Sequence, residues 1–317
     1  MVTSPGSRAL GVALGLLLDR ALGEPPDRWH PVAWFGTAMQ HVERRLHADS
    51  RARGLLHAAV GVGLGAGAGT LLRAALGDTG ATAVAVATAG AGRMLRTTSA
   101  VVEQQLREGD LDAARATLPM LVGRDPSSLD RSGLSAAVVE SLAENTVDAV
   151  LAPALWALAA GAPGALGHRA ANTMDAMVGH RTARHHRYGW AAARLDDGMA
   201  WAPARAFAGL VALVTPGRAG EVRRLVRRDA PAHPSPNAGV AETAVAAALG
   251  VELGGPLRYG GRDEARPRLG EGPRPSAADI ARARRLADRV ELAVVGLCLA
   301  AWAGERATAR WTARRAG

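Results

Sequence analysis

The sequence predicts an all-α, multi-pass integral membrane protein, and its composition is the first observation that supports this fold class. Hydrophobic residues make up 48% of the 317 residues, aromatic residues make up only 3%, and 38 residues are glycine. A core of Ala, Val, Leu and Gly suits closely packed helices better than an aromatic-rich sheet. The second observation is that apolar segments recur along the chain with dense polar clusters beside them. We therefore expect a single membrane-embedded domain over residues 1–317.

The apolar segments vary in length, and several are shorter than the roughly 20 residues that span a bilayer as a helix. Their number and weak amphipathicity together indicate a membrane protein. They are Ala9–Leu18, Leu55–Leu72, Thr79–Gly92, Val147–Leu166, Met199–Val214 and Val290–Ala303. In the second segment Gly61, Gly65 and Gly69 recur at every fourth position, a spacing that lets helix backbones approach closely in lipid. The sequence shows no internal repeat, and its single cysteine, Cys298, excludes a disulfide framework.

Two polar segments, residues 93–146 and 217–289, are predicted to be helical and to lie on the cytoplasmic side. In the first, Asp125 and Asp130 are either ligands or helix caps. In the second, the composition of Arg262–Pro275 predicts a mobile linker, and Ser276 is predicted to cap a final helix.

The net charge of +9 comes entirely from arginine, because the chain contains no lysine. The arginines are scattered or alternate with acids, and no aromatic ladder accompanies them. This pattern argues against nucleic-acid binding. It is typical of cytoplasmic loops that follow the positive-inside rule, so the lipid bilayer is the expected partner.

The region from Glu140 to Arg205 carries the candidate site. Glu140, Glu144, Asn145 and Asp148 precede an apolar run, and Asn172, Asp175, Arg194, Asp196 and Asp197 follow it. A polar cluster set against membrane-like sequence is costly unless it lines a cavity or a site. The i, i+4, i+8 spacing of Glu140, Glu144 and Asp148 predicts that the three carboxylates share one helix face.

The apolar run Ala149–Leu166 is interrupted by Pro153 and by the sequence Gly161-Ala-Pro-Gly164. A continuous helix would carry Asn172 to the opposite side of the membrane from Glu144. A return through the break would bring both groups to one side, and non-helical backbone is tolerated at membrane depth where it lines a cavity. We therefore predict a broken or re-entrant helix pair.

Three further stretches contain candidate residues with alternative roles. The Asp196–Asp197 pair, ahead of an apolar run, predicts a metal or substrate role. His180–Arg187 (HRTARHHR) is either an anion-binding surface or a topogenic basic loop.

The third stretch is HPSPN, where His233, Ser235 and Asn237 either contact phosphate at a helix N-terminus or form a capped turn. His30, in a proline-rich segment, is either a catalytic base or phosphate contact, or an interfacial structural residue.

The residue types exclude several mechanisms. A Walker A loop requires lysine, a Cys/His zinc cluster requires more than one cysteine, and no GxSxG motif occurs. The remaining oxygen-rich set suits Mg²⁺, which prefers one or two carboxylates together with substrate phosphates. Arginines beside carboxylates predict phosphoryl or acyl-phosphate chemistry.

Five long motifs resemble the CobD/CbiB family of cobalamin biosynthesis, the adenosylcobinamide-phosphate synthases. They are DRALGEPPDRWHPVAWFG, ESLAENTVDAVLAP, NTMDAMVGH, GWAAARLDDGMAWAPAR and HPSPNAGVAETAVAAALGVELGGP, in the family's order and over nearly the whole chain. The loop HRTARHHRYG, which contains His185 and His186, departs from the pattern of the family.

The resemblance implies a multi-pass protein of the cell membrane with its active site on the cytoplasmic side. It implies an amide ligase that joins (R)-1-aminopropan-2-ol O-phosphate, or aminopropanol, to a propionate of adenosylcobyric acid, with ATP as co-substrate and Mg²⁺. Other enzymes of the corrinoid pathway are candidate partners.

Mapped onto this family, the candidate residues take provisional roles. Glu144, Asp148, Asp196 and Asp197 would be catalytic, and the last three would hold Mg²⁺. The candidate substrate-binding residues are His30, Asn145, Asn172, Asp175, Arg194, His233 and Asn237. The competing hypothesis is a non-catalytic membrane corrinoid carrier or regulatory partner, in which the polar clusters serve helix packing.

Overall fold

The computed structural model describes residues 4–123, 125–180, 182–255, 257–259, 262–264 and 266–316, and most of them are helical. The α-helices within these ranges are α1 (Pro5–Leu22), α2 (Pro31–Leu46), α3 (Arg51–Ala89), α4 (Gly92–Glu108), α5 (Leu111–Thr117), α6 (Arg131–Thr146), α7 (Ala152–Val178), α8 (Trp190–Val214), α9 (Ala219–Asp229), α10 (Ala238–Leu249) and α11 (Ala277–Ala316). A π-helical turn, Val147–Leu151, joins α6 to α7.

Four short strands follow α10, and they are an exception to the predicted all-α fold. They are β1 (Glu252–Gly254), β2 (Leu257–Tyr259), β3 (Arg262–Glu264) and β4 (Arg268–Gly270). β1 pairs antiparallel with β4, and β2 pairs antiparallel with β3. The prediction of a linker over Arg262–Pro275 was therefore wrong for β3 and β4, because backbone pairing orders a stretch whose composition is typical of a loop.

The chain forms two compact units. Unit 1 contains residues 1–92, 148–199 and 294–317, and unit 2 contains residues 93–147 and 200–293. The predicted polar segments, 93–146 and 217–289, both belong to unit 2. The single membrane-embedded domain remains a prediction.

In unit 1, α7 is a helical hairpin rather than a straight helix. Gly161 has φ 68° and ψ −154°, a conformation open essentially only to glycine, and it divides the helix into two arms. A Cβ at Gly164 would lie 2.2 Å from the carbonyl oxygen of Trp156, so glycine is required where the arms touch. The broken helix pair predicted from Gly161-Ala-Pro-Gly164 is therefore present.

α3 folds back in the same way. Gly77 has φ 69° and ψ 176° inside the helix. Leu72 and Val84, one on each side of this break, line the same cavity. The two tips meet, because the Gly161 Cβ position is 3.5 Å from Oδ1 of Asp78, the residue after Gly77. Unit 1 thus contains two hairpins that pack tip to tip.

The predicted glycine stripe of α3 packs against α7. Cβ atoms built at Gly65 and Gly69 would lie 2.6 Å from the carbonyl of Leu166 and 2.5 Å from the carbonyl carbon of Ala162. The neighbouring glycines at 63 and 67 have nothing within 4 Å of that position. Among the described residues, the Gly65–Gly69 side of α3 therefore makes close helix contact through glycine, whereas the side with Gly63 and Gly67 does not.

Two helical segments, Arg51–Glu108 and Arg131–Val178, are long and apolar enough to cross a membrane. The number rises to three if Trp190–Val214 and Pro216–Ala232, bent by 110°, form one broken span. These helices suggest membrane association. The number of passes and the cytoplasmic side of the polar segments remain predictions.

Candidate functional site

An acidic cluster in unit 1 is held together by one amide side chain. Nδ2 of Asn172 donates to Oδ2 of Asp148 at 3.4 Å and to Oδ1 of Asp196 at 3.3 Å. Asp148 lies in the π-helical turn, Asn172 in the returning arm of α7, and Asp196 in the first turns of α8. The α7 hairpin therefore brings carboxylates from two separate segments onto the same amide.

Arg169 completes this group from one helical turn before Asn172. Its Nη1 donates to Oδ1 of Asn172 at 3.3 Å. Its Nε is buried and has no hydrogen-bond partner among the described residues. The negative charges that act on the guanidinium come from Glu24, Asp148 and Asp196. The cluster thus combines carboxylates with a guanidinium that has an unused donor.

Asp197 and Asp175 extend the cluster toward its exposed side. Oδ2 of Asp197 lies 3.9 Å from Nη1 of Arg194, whose side chain is 65% exposed. Asp175 is close enough to Asp197 for their charges to interact. Arg194 is therefore available to solvent, as a residue that contacts an incoming anion must be.

His30 lies beside Glu24 in the segment that precedes α2. Its Nδ1 accepts from the backbone N–H of Val32 at 3.2 Å, so it caps α2, and its Nε2 lies 3.7 Å from Oε1 of Glu24. Burial raises the pKa of the Glu24 carboxyl above its ordinary value, although the nearby His30 and Arg169 oppose the change. His30 serves a structural role as a cap and also contacts a carboxylate near the cluster.

Of the three carboxylates predicted to bind Mg²⁺, the structure brings two, Asp148 and Asp196, onto the same amide. Asp148 and Asp196 share Asn172, whereas Asp197 pairs with Arg194. Among the described residues, the group of three metal-binding side chains with ligand atoms within 4.8 Å of one another lies elsewhere, at Glu43, His47 and His185. Mg²⁺ is commonly bound by one or two carboxylates plus substrate phosphates, so the Asp148–Asp196 pair fits it.

A cavity of about 360 Å³ in unit 1 is lined by α2, α3 and α7. Its walls are mainly apolar, with Phe35, Leu72 and Leu166 among them, and Arg169 is its one charged lining residue. Arg169 therefore lies between an apolar cavity and the acidic cluster.

Unit 2 holds a second group of predicted residues. Nε2 of His233 lies 3.9 Å from Oε2 of Glu242, and both side chains are buried. Glu144 is within hydrogen-bonding range of Glu242. Burial raises the pKa of the Glu242 carboxyl well above its usual value, and the charges of Glu144 and Glu140 raise it further. Burial and the neighbouring negative charges thus both favour the protonated form of Glu242.

The imidazole of His233 is neutral in this group. Burial lowers its pKa, although hydrogen bonding to Ser235 opposes the change. The N–H of Ser235 donates to Nδ1 of His233 at 3.1 Å. The uncharged ring presents its Nε2 to Glu242.

The HPSPN stretch forms a capped turn at the start of α10. Oγ of Ser235 accepts from the N–H groups of Asn237 and Ala238 at 3.3 and 3.1 Å. Oδ1 of Asn237 accepts from Nη1 of Arg205 at 2.8 Å. The capped-turn alternative is therefore confirmed, and contact with phosphate stays a prediction.

The predicted shared face of Glu140, Glu144 and Asp148 is wrong. Oε1 of Glu140 accepts from the N–H of Gly254 at 2.9 Å, whereas Asp148 accepts from Asn172. The π-helical turn that begins at Val147 breaks the 3.6-residue period on which the prediction relied.

Other predicted residues have local partners. Nδ2 of Asn145 donates to the carbonyl of Ser141 at 3.0 Å. Asp130 caps α6 by accepting from the N–H of Gly133 at 2.7 Å, so the capping alternative is confirmed for it. In the HRTARHHR loop, Arg181 lies outside the described residues, and Arg184 donates to Glu43.

The sequence analysis missed three charged residues: Glu24 and Arg169, which are partly buried, and Glu242, which is buried. Arg169 precedes Asn172 by three residues, and Glu242 is an isolated acid in the apolar helix α10. A charged side chain inside an apolar helix is costly unless it has a function, and this signal was available for both.

Comparison with known proteins gives a consistent family assignment. A family model described as CobD/Cbib protein matches residues 12–287. The chain is 46% identical over 283 residues to the cobalamin biosynthesis protein CobD of Mycobacterium tuberculosis, covering 87% of this chain and 90% of the relative. It is 43% identical over 304 residues to CobD of Chromobacterium violaceum, covering 92% and 96%. No solved structure matches the chain.

Proposed function

Because the chain belongs to the CobD/CbiB protein family, we propose that it is an enzyme of cobalamin biosynthesis that forms an amide bond on a corrinoid. The acid would be a propionate of adenosylcobyric acid. The amine would be (R)-1-aminopropan-2-ol O-phosphate or aminopropanol, with ATP as co-substrate. The observation that carries the proposal is the Asp148–Asn172–Asp196 cluster with Arg169 beside it.

The reaction would have two steps, phosphorylation of the propionate and then its amidation. The propionate oxygen attacks the γ-phosphorus of ATP, ADP leaves, and an acyl phosphate forms. The amine nitrogen then attacks the acyl carbon, the C–O bond to phosphate breaks, and inorganic phosphate and the amide are released. The nitrogen loses one proton, which a protein carboxylate must accept.

The carboxylates of Asp148 and Asp196 would hold Mg²⁺, with Asp197 as the third candidate ligand. The ion would neutralise phosphate charge during phosphoryl transfer. Asn172 keeps Asp148 and Asp196 in place through the two hydrogen bonds described above. Asn172 thereby fixes the positions of the carboxylate oxygens of Asp148 and Asp196 that would bind the ion.

Arginine side chains would bind the phosphate oxygens. Arg169 has a buried Nε without a partner among the described residues, so it can donate to an anion that enters the cluster. Arg194 is exposed and is the second candidate. A guanidinium can donate two parallel hydrogen bonds to phosphate, which orients the transferring group.

The carboxylates that are not needed for the ion are candidate proton acceptors. Asp175 stands beside Asp197 in unit 1. In unit 2, Glu144 lies within hydrogen-bonding range of Glu242 and remains a candidate catalytic residue. The proposal also keeps His30, Asn145, His233 and Asn237 as candidate substrate contacts.

We place the enzyme in the cell membrane with its active site on the cytoplasmic side, where ATP is supplied. The apolar helices of both units support the membrane location. The bilayer and other corrinoid-pathway enzymes are the proposed partners.

A reconstituted assay tests the ligase proposal. The purified full-length chain is incubated with adenosylcobyric acid, aminopropanol phosphate, ATP and Mg²⁺, and the amide product and ADP are measured by mass spectrometry. We expect equal amounts of both products. Asp148→Asn, Asp196→Asn and Asp197→Asn should each nearly abolish turnover.

Asp112→Asn is the matched control, because its side chain is 96% exposed and pairs with Arg115 in the same helix. This variant should keep wild-type turnover. If the wild-type protein binds the corrinoid but forms neither product, the ligase proposal is wrong.

A non-catalytic corrinoid carrier is the second candidate: the two glycine-broken hairpins resemble the interrupted helices of transporters, but the sequence lacks the internal repeat that pairs such helices. Paired interrupted helices are a feature of many membrane transporters. Proteoliposomes loaded with a corrinoid separate the candidates. A carrier would release the corrinoid without ATP and amine, whereas a ligase would modify it only when both are present.

A further inference from the structure

Three metal-binding side chains converge at the C-terminal end of α2. Glu43 and His47 are one helical turn apart, and His47 is the C-cap residue of the helix. His185 comes from the turn between α7 and α8. One ligand atom from each residue lies within 4.8 Å of the other two, and all three residues are partly buried. This group is separate from the acidic cluster and has no part in the ligase proposal.

The existing contacts resemble those of a metal site. Nε2 of His185 lies 3.0 Å from Oε1 of Glu43. Nε2 of His47 lies 3.1 Å from the carbonyl oxygen of Arg184. Imidazoles that bind a metal through one nitrogen usually donate the other N–H to a carbonyl or carboxylate, which fixes the ring. The Arg184 carbonyl supplies such a partner.

A buried hydroxyl lies next to these residues. The Tyr188 hydroxyl has no hydrogen-bond partner among the described residues, and the charges of Glu43 and Arg184 both act on it. The Tyr188 ring packs between His47 and His57, with ring centroids 5.0 and 5.3 Å away. The hydroxyl therefore has an unused donor within range of the Glu43 charge.

The turn that carries His185 is held rigidly by its backbone. A Cβ at Gly54 would lie 1.8 Å from the carbonyl oxygen of Tyr188, and one at Gly189 would lie 1.7 Å from the carbonyl oxygen of Val178. Both glycines allow the turn to pack directly against α3 and α7. His185 is thus positioned by main-chain packing rather than by a flexible loop.

We propose that Glu43, His47 and His185 form a binding site for a divalent transition-metal ion of the Zn²⁺ class. Two imidazoles and one carboxylate, with a fourth position open, are a common zinc ligand set. Imidazole ligands favour Zn²⁺, Cu²⁺ or Ni²⁺ over Mg²⁺, which prefers oxygen. The bound ion would cross-link the turn between α7 and α8, through His185, to the C-terminal end of α2.

The guanidinium of Arg184 must move when the ion binds, because its Nη2 lies 3.1 Å from Oε1 of Glu43. The side chain of Arg184 is 57% exposed. The guanidinium can therefore turn into solvent, where water hydrates its charge.

Zinc binding to the full-length protein tests the site. The protein is purified in detergent through a tag without histidine, dialysed against a chelator, and titrated with Zn²⁺ in equilibrium dialysis. We expect one high-affinity Zn²⁺ per chain. His47→Ala and His185→Ala should each weaken binding by at least about tenfold, since loss even of a supporting contact costs that much.

His41→Ala in α2 and His186→Ala in the turn are the matched controls and should keep wild-type affinity. A second measurement uses trypsin, which should cleave at Arg184 and Arg187 more slowly in the presence of Zn²⁺ in the wild type but not in Glu43→Gln. Absence of bound zinc in the wild type, or equal losses in His185→Ala and His186→Ala, would overturn the proposal. If His185→Ala does not fold, His47→Ala and Glu43→Gln decide the question.

Discussion

Asn172 donates a hydrogen bond to Asp148 at 3.4 Å although 24 residues separate them along the chain. A straight α-helix of that length would hold them about 36 Å apart. The contact exists because α7 turns back at Gly161. The acidic cluster is therefore a product of the hairpin, and changes at the hairpin tip should affect the cluster.

Gly161→Ala should lower the stability of the protein by about 1–3 kcal/mol, because an L-residue is strained at φ 68° and ψ −154°. Gly77→Ala should have a similar effect for the same reason. Thermal unfolding in detergent measures both. Gly209→Ala is the control. A Cβ added at Gly209 would have no other atom within 4 Å, and the backbone there has a normal helical conformation. Equal unfolding temperatures for all three variants would contradict the hairpin geometry.

The two glycine stripes of α3 should respond differently to alanine. Gly65→Ala and Gly69→Ala place a methyl group against the α7 backbone and should cost about 1–3 kcal/mol. The methyl groups added by Gly63→Ala and Gly67→Ala would have no other atom within 4 Å. These substitutions should be neutral or stabilise the helix by up to about 1 kcal/mol. Thermal unfolding of the four variants provides the comparison. Destabilisation by Gly63→Ala equal to that by Gly65→Ala would show that both stripes are packed.

Arg169→Lys should reduce ligase turnover by about 10²–10³-fold, the usual cost of removing one donor to developing negative charge. Lysine keeps the positive charge but loses the planar fork that binds phosphate through two bonds. Turnover in the reconstituted assay is the measurement, with unfolding temperature as the test of folding. Arg73→Lys, at an exposed position of α3, should have no effect. Full activity of Arg169→Lys would remove Arg169 from the phosphate-binding role.

Glu242→Gln should stabilise the protein more at pH 8 than at pH 5. Burial raises the folded-state pKa of Glu242 well above the value of 4.5 expected in the unfolded chain. The unfolded state therefore loses its proton first, and wild-type stability falls as pH rises from 4.5 toward the folded pKa. Glutamine removes this loss. The difference in unfolding temperature between variant and wild type should thus grow with pH.

Glu271→Gln is the control for this pH series. The exposed Glu271 pairs with Arg224 and Arg228, which lower its pKa to about 2. It is ionised in the folded and unfolded states from pH 5 to pH 8, so its replacement should change the unfolding temperature by the same amount across the range. A difference for Glu242→Gln that does not change with pH would mean that Glu242 is ionised when folded.

Local sequence signals predicted the features that depend on a few neighbouring residues. The break at Gly161 followed from glycine and proline beside an apolar run, and the packed glycine stripe followed from its four-residue spacing. The Asp130 cap also followed from local sequence. In each case the responsible residues lie within one or two helical turns.

The features that depend on distant partners could not be predicted in this way. The π-helical turn moved Asp148 off the face that its spacing to Glu144 implied. The strands form because Leu253 pairs with Leu269, across a stretch whose composition is typical of a loop. Arg169 and Glu242 interact with charged residues on other segments of the chain. The helical periodicity of one segment does not predict such contacts.

The amide of Gly6 donates to the carboxylate of Glu305, so the last helix caps the first. Unit 1 joins residues 1–92, 148–199 and 294–317. During translation, the first stretch leaves the ribosome long before the last. A nascent chain therefore cannot form this contact until residue 305 has emerged, so unit 1 is completed only late in synthesis.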